Sequence, residues 1–579
     1  MEELQNLFRF IRVRLYEEGH HWFGNYEITL TTNGTLYDRP QVQKFIKKNQ
    51  NMLAIGISLD GTKEKHDAQR VHIDGTGSYE DVVKNVPLWL SQFPDGGTKL
   101  TFSSSDLKYI KDSVIHVHDL GIKYSIANIV NEDVWEDGDE VIFEEQLKEL
   151  ADYMLQNNLE TNYAGGFFNE MIGRPFDEER LKLNWCNCGE NNLAVDNRGF
   201  LYPCIRFLPF TLGNKSDRNI GNIFDGIDRN KLRAFECLNF ETQCSEQCLK
   251  CPVADGCQWC VGNNYSASEN NTIFDRSEAI CKMHKANCRA NDYYFAKLRN
   301  KKGYLRRILN IDRKRYLYIL TEDKSVHFCI DNIQEIKGEH RLTKNNLKKA
   351  LLYARNEFLT PVLVYGENDI DTEMKDMIDE FEWKAIKPVS FKGNFEIADI
   401  VVTTINNIAI GNLPAVNCVV LKCNINELHL LEQAIAQILE KAWKISLIIE
   451  GMQDNNSGIY DQYGQVLDNI SQLLLTYYRK ALWKQVDVIT DTLLLTKDNH
   501  CNAGISSYTF APDGEIYVCP NFYYDRLNGI IPDLLPSKEY LDKSKASGCK
   551  ICDVYHCRRC IYENYQHTNE YPVPPYIVK

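Results

Sequence analysis

The sequence predicts an α/β protein built as two successive α/β units, each followed by a cysteine-rich module. Three observations predict it. Strand-like and helix-like stretches alternate twice along the chain, the twenty cysteines fall mostly into two clusters, and those clusters share one layout. At 579 residues the chain exceeds what one hydrophobic core organises. Apolar residues at 44% and charged residues at 25% are globular values. A formal net charge of −14 argues against nucleic acid or an anionic membrane surface as the main partner. The N-terminal "MEELQNLFRFIRVRLYEEGHHW" is charged throughout, and no apolar run approaches the roughly 20 residues of a membrane span. A cytoplasmic protein with no membrane partner is therefore expected.

The first unit, residues 1–175, reads as βα repeats. "YEITLTTNG" and "MLAIGISLDG" are strands that end in turn dipeptides, and "KYSIANIVN" is a later strand. "SYEDVVKNVPLWLSQF" and "EEQLKELADYMLQNN" carry the helical period. Polar residues at the ends of parallel strands are where such folds do chemistry.

The cysteines follow in residues 176–295. None precedes Cys186, eleven lie between Cys186 and Cys288, three are scattered (Cys329, Cys418 and Cys423), and six lie between Cys501 and Cys560. The scattered three read as small buried hydrophobes. In a reducing compartment, clustered thiols point to metal or cluster ligation rather than disulfides. "CGENNLAVDNRGFLYPC" spaces Cys188, Gly199 and Cys204 as "CNAGISSYTFAPDGEIYVC" spaces Cys501, Gly514 and Cys519, and each reads as a β-hairpin. A second box follows each hairpin: Cys248, Cys251, Cys257 and Cys260, then Cys549, Cys552, Cys557 and Cys560. Paired C-x2-C boxes suit a four-thiolate zinc ribbon as well as a cluster. The first module's ten clustered thiols, which include Cys186, Cys244, Cys281 and Cys288, are enough for two cubane sites, and this favours iron and sulfur.

The C-x9-15-G-x4-C hairpin followed by C-x2-C-x5-C resembles the SPASM domain, which carries auxiliary [4Fe-4S] clusters in radical S-adenosylmethionine (SAM) peptide maturases. The resemblance implies one cluster on Cys188, Cys204, Cys260 and a neighbour such as Cys186. It implies another on Cys248, Cys251, Cys257 and either Cys281 or Cys288. Two residues separate Cys257 from Cys260 here, where the common pattern has three. "TLTTNG" and "ISLDGTKEKHDAQR" resemble the third and fourth strands of the radical SAM partial (β/α) barrel. That likeness implies SAM-binding roles for Ser58 and Asp60, and for Arg70 either a SAM contact or a structural ion pair. Radical SAM enzymes hold their catalytic cluster on C-x3-C-x2-C after the first strand. The expectation is thus a partial barrel lacking its first strands, truncated before its cluster loop, and unable alone to cleave SAM. SAM is then a cofactor only of an intact family member.

Residues 296–315 read as a basic linker. In residues 316–498 the βα alternation resumes, with "YLYILT", "TPVLVYG", "IADIVVTT", "NCVVLK", "KISLIIEG" and "VDVITDTLLLT" as strands. Residues 499–579 form the second module. From about residue 316 onward the sequence resembles the CXXX-repeat peptide maturase, a SPASM-like partner of a radical SAM enzyme, with at least one cluster in its six cysteines. Together the resemblances imply a component of a system that modifies ribosomally made cysteine-repeat peptides by thioether-type chemistry. Its partners would be a cysteine-rich precursor peptide and an electron donor. The alternatives are an inert Fe–S adaptor that binds precursor peptide and an intact radical SAM subunit, and a zinc-stabilised binding protein.

Overall fold

The computed structural model describes residues 1–175, 178–304, 306, 315–329, 338–395, 398–408, 413, 415–451, 457–494, 502–525 and 560–573. The chain divides into two units, Met1–Arg313 and Lys314–Lys579.

In the first unit, β1 (Ile28–Thr32) pairs in parallel with β2 (Leu53–Ile57), and β3 (Gly97–Phe102) pairs in parallel with β4 (Tyr124–Ile129). Strand β3 was not read from the sequence, because "GTKLTF" is short and begins with glycine. The Thr98 side chain joins the two pairs. Its hydroxyl donates to the carbonyl of Ile57 at 2.7 Å and accepts from the amide of Leu59 at 3.0 Å. The expected helix over "SYEDVVKNVPLWLSQF" is two helices, Tyr79–Val83 and Val86–Gln92, with Pro87 at the start of the second, where a missing N–H costs nothing. Trp89 is fully buried, and its indole N–H reaches the carbonyl of Ile55 at 2.8 Å.

The helix Cys281–Lys302 carries the chain back onto the helix Asp139–Gln156. Arg289 pairs with Glu144 at 2.5 Å, and Tyr293 donates to Asp152 at 3.0 Å. Residues 296–302, expected to open a basic linker, continue this helix and bury Ala296 and Leu298. Apolar residues inside the basic run explain the difference: the lysines and arginine stay on the outer face while the apolar ones reach the core. Residues 305 and 307–314 of that linker lie outside the described residues.

Between these helices the first cysteine module forms its own four-stranded antiparallel sheet. Its strands are β5 (Ala194–Val195), β6 (Phe200–Tyr202), β7 (Gly221–Asn222) and β8 (Gly226–Ile227). Gly199, at φ +86°, turns the β5–β6 hairpin.

In the second unit one sheet holds nine strands. Seven run in parallel: β9 (Tyr316–Leu320), β10 (Thr360–Val364), β11 (Lys384–Pro388), β12 (Ile400–Thr404), β13 (Val416–Asn424), β14 (Ala442–Glu450) and β15 (Gln485–Val486), each paired with the next. β16 (Ser507–Phe510) adds in parallel to the free side of β9, and β17 (Ile516–Tyr517) folds back antiparallel on β16. The second module's hairpin is thus part of the main sheet. "VDVITDTLLLT", expected to be a strand, contributes only the tip of β15 and then forms the helix Asp487–Leu494. Asp487 sets the break: its carboxylate accepts from the Ser446 hydroxyl at 2.6 Å and the Leu447 amide at 3.0 Å. β11 was missed because two lysines interrupt its apolar pattern.

No helix among the described residues is long and apolar enough to cross a membrane.

Candidate functional site

Ser58 and Asp60 follow directly on β2. The Ser58 amide donates to Thr32 at 2.8 Å, which extends the β1–β2 ladder by one residue. Asp60 is 4% exposed and forms an ion pair with Arg70, so Arg70 serves as the partner that allows a carboxylate to be buried there. Behind them, the Asp60 amide donates to Nδ1 of His66 at 3.3 Å, which leaves Nε2 to reach Ser78 at 3.1 Å. Burial lowers the His66 pKa, opposed by the Asp60 charge, which suits a neutral ring with an accepting Nδ1. Sequence reasoning missed Lys65. Its ammonium is wholly buried, donating to the Thr101 carbonyl at 2.8 Å with Asp106 3.3 Å away. The signal available was a lysine inside "KEKHDAQR" five residues before that arginine, which pattern alone does not mark as buried.

The first thiol group brings Cys186, Cys188 and Cys204 together from two stretches of chain, and Cys260, expected with them, is placed by a hydrogen bond from Arg206. Asn184 fixes Cys188: its side chain accepts from the Cys188 amide at 3.0 Å and donates to the Cys188 carbonyl at 3.1 Å. Cys204 precedes the short helical turn Ile205–Phe207, and Cys260 precedes the helix Val261–Ala267, so both thiols stand where free backbone N–H groups favour negative charge. The Cys188 thiol hydrogen-bonds both Cys186 and Cys204, and these bonds, with burial, push it far up. The same bond from Cys188 lowers Cys186 to about 6, helped by the Val261 amide. Cys204 is also lowered, chiefly by its bond to Cys188. Arg206 pairs with Glu132 and hydrogen-bonds the Cys260 thiol.

The second thiol group lines a cavity of about 560 Å³ whose walls include Cys248, Cys251, Cys257, Cys260 and Cys281. Arg276 organises it. Its guanidinium donates to the Cys244 sulfur at 3.0 Å and to the Cys257 carbonyl at 3.1 Å, and lies 4.6 Å from the Trp259 ring. A bond from Cys244, then one from Ser245 and the Arg276 charge, lower Cys248 to about 6. Burial raises Cys257 and pushes Cys281 up to about 12, where the neighbouring thiols add to it. Cys281 lines the cavity. Cys288, seven residues along the same helix, does not; its thiol lies 3.3 Å from Nε2 of His284. Cys244, counted in the sequence but given no role, stands beside Cys248 and on Arg276.

Both groups offer soft sulfur donors supported by backbone or guanidinium N–H, the donor chemistry of iron–sulfur and zinc sites. Among the described residues no three His, Cys, Asp or Glu side chains converge on one ion position. The fit therefore rests on the type and number of donors.

In the second module, Cys519 and Cys560 pack against one buried cluster that contains Phe522, Tyr523 and Tyr562. Cys501, Cys549, Cys552 and Cys557 lie outside the described residues.

No family model matches the chain. The cysteine-type anaerobic sulfatase-maturating enzyme of Clostridium perfringens (strain ATCC 13124) is 24% identical over 258 residues, spanning 42% of this chain and 67% of that enzyme. The enzyme of the same description from Clostridium novyi (strain NT) is 23% identical over 265 residues, 43% of this chain and 68% of its own length. Among solved structures, native anSMEcpe with bound AdoMet overlaps at a TM-score of 0.39 with 20% identity, covering 52% of this chain and 81% of that one. Streptococcus suis SuiB bound to precursor peptide SuiA overlaps at 0.32 with 15% identity, covering 43% and 58%. The sequence likeness is thus to cysteine-type anaerobic sulfatase-maturating enzymes.

Proposed function

We propose that the chain is an iron–sulfur component of a system that modifies ribosomally made peptides, a radical SAM/SPASM-type maturase of cysteine-repeat peptides with thioether-type chemistry. The observation that supports this most is the contact of the Cys188 thiol with Cys186 and Cys204, in the same module as a second, cavity-lining set of thiols. On this reading Cys186, Cys188, Cys204 and Cys260 hold one [4Fe-4S] cluster, and Cys248, Cys251, Cys257 and Cys281 hold another. At least one more belongs to Cys501, Cys519, Cys549, Cys552, Cys557 and Cys560. When bound, such clusters pass electrons and offer iron to a thiolate.

The chain's own residues bind and orient. The guanidinium of Arg276 holds Cys244 and the Cys257 backbone, which fixes the loop that carries the second ligand set. Arg206, paired with Glu132, does the same beside Cys260. Asn263 donates to the Asn131 carbonyl at 2.8 Å and ties the cysteine loop to the end of β4. Ser58 and Asp60 would face SAM, with Arg70 acting through Asp60.

The test is anaerobic purification followed by iron, acid-labile sulfide and zinc analysis. Iron and sulfide in equal amounts are expected, and zinc without sulfide overturns the reading. With SAM and dithionite, no 5′-deoxyadenosine is expected from this chain alone, because no cysteine precedes Cys186. Its release would place SAM cleavage on these residues after all.

A further inference from the structure

The second unit holds a cavity of about 680 Å³ that the iron–sulfur reading does not use. It opens where the parallel strands β9, β10 and β11 end, and Glu322, Gly366 and Pro388 stand on its wall just past or at the last residues of those strands. Crevices at the carboxyl ends of parallel strands are where open α/β sheets take ligands.

One wall is built around a buried carboxylate. Asp323 is 1% exposed, and three donors meet it: the His340 amide at 2.9 Å, Nδ1 of His340 at 2.9 Å, and the hydroxyl of the fully buried Tyr523. Because a carboxylate accepts, Nδ1 carries a ring proton, and in the neutral ring this fixes the tautomer in which Nε2 keeps its lone pair. The backbone fixes the imidazole as well. The Asp323 amide donates to the His340 carbonyl at 2.9 Å and the Leu342 amide donates to Thr321 at 2.9 Å, so residues 321–323 and 340–342 form a short ladder. The His340 side chain is 61% exposed at the cavity rim.

Two glycines make room for the carboxylates. A Cβ on Gly338 would sit 1.8 Å from Oδ2 of Asp323, and one on Gly366 would sit 1.8 Å from Oε1 of Glu322. Neither position needs an unusual φ, so close approach is what calls for glycine there. Glu322 is mostly buried and meets Arg341 only at 3.7 Å. Around the wall, the four carboxylates of Glu322, Asp323, Glu339 and Glu367 stand against three cations, Lys324, Arg341 and the Lys392 that pairs with Glu367 at 2.8 Å. Carboxylates outnumber cations, and the imidazole presents an acceptor.

We propose that this cavity binds a primary ammonium group, which donates to Nε2 of His340 and to the Glu322 carboxylate, with Asp323 as the positioning residue that orients the ring. An ammonium carries three donors, no acceptor and one positive charge, which matches an acceptor-lined wall of net negative charge. The group belongs either to a peptide N-terminus or to a lysine side chain.

The test is saturation-transfer NMR on the full chain with three probes: L-alaninamide for an α-ammonium, Nα-acetyl-L-lysine amide for a side-chain ammonium, and acetate as the anion. Saturable transfer to the protons beside nitrogen of one amine is expected, and the stronger amine identifies the source. Asp323→Asn should weaken it about tenfold, the low end of the cost of removing an orienting carboxylate. Should Asp323→Asn fail to fold, Glu322→Gln and Gly366→Ala carry the test, since the added Cβ displaces the Glu322 carboxylate without removing any donor. Stronger transfer to acetate, amine binding unchanged in the folded variants, absence of transfer to both amines, or displacement of the amine by zinc chloride would each overturn the proposal.

Discussion

The two cysteine modules repeat one spacing but are mounted differently. In the first, the hairpin β5–β6 belongs to a sheet of very short strands, and the thiols are positioned by local devices such as the Asn184 clasp, the two helix starts behind Cys204 and Cys260, and the Arg276 bridge. In the second, the hairpin β16–β17 is hydrogen-bonded onto β9, and Phe510 and Tyr508 enter the core beneath the large sheet. A repeat in sequence is therefore not a repeat in stability. The first module sets its thiol ligands on a small apolar core of its own, with Tyr202, Phe207, Trp259 and Tyr265 buried in it, whereas the second hairpin inherits the order of seven parallel strands.

The largest effect that follows is on metal removal. Ligand binding and folding are linked where no preformed site exists, and a structural metal contributes on the order of 10 kcal/mol to such a module. Chelation, or Cys188→Ala with Cys204→Ala, should sharply lower amide-exchange protection across residues 186–260 while β16 stays protected. Hydrogen-exchange mass spectrometry resolves the two segments. Equal loss in both hairpins would break the comparison.

The same contrast explains what could be read in the sequence. Both hairpins were legible because a glycine at a fixed distance from a cysteine marks a turn, and Gly199 and Gly514 both lie at positive φ. Most strands of the second unit were legible as β-branched runs. What escaped depends on tertiary contact. β16 joins β9 across nearly 190 residues of sequence, Asp487 turns an apolar run into a helix by bonding to β14, and Cys244 acquires a neighbour through Arg276, 32 residues away. The Asp323–His340 pair was invisible for the same reason, since neither residue lies in a motif and Tyr523 comes from 200 residues downstream.

A smaller effect sharpens the local mounting of the first module. Arg276→Gln removes a charge-assisted donor from Cys244 and leaves the Cys257 carbonyl short of a partner, at a cost of about 2–3 kcal/mol. The first unit's unfolding transition should move down by several degrees and the cluster absorbance be lost with it, while that of the second unit stays in place. A shift of both transitions would show that Arg276 has wider reach than the loop it bridges.

The smallest effect tests the second unit's sheet at a position where it tolerates a poorly matched group. Lys387 of β11 is 4% exposed, its ammonium donating to the Asn394 carbonyl at 2.6 Å and lying 4.5 Å from the Phe391 ring, and burial lowers its pKa to about 8. In the first unit the buried Lys65 has Asp106 at 3.3 Å; among the described residues no ion pair joins Lys387 to a carboxylate. The sign follows from linkage. Between about pH 8 and the ordinary lysine value the unfolded chain holds a proton that the folded chain has released, so the stability of this unit rises with pH across that window. Below about pH 8 both states are protonated and the cost of burying the charge is constant. The rise is on the order of 1–3 kcal/mol. Lys387→Met should flatten it and raise stability at pH 7, as read by urea unfolding at pH 7 and pH 10; an unchanged slope in the variant would assign the pH dependence to another group. Because β11 sits mid-sheet, a gain there should carry β16–β17 with it and leave the first module's hairpin untouched.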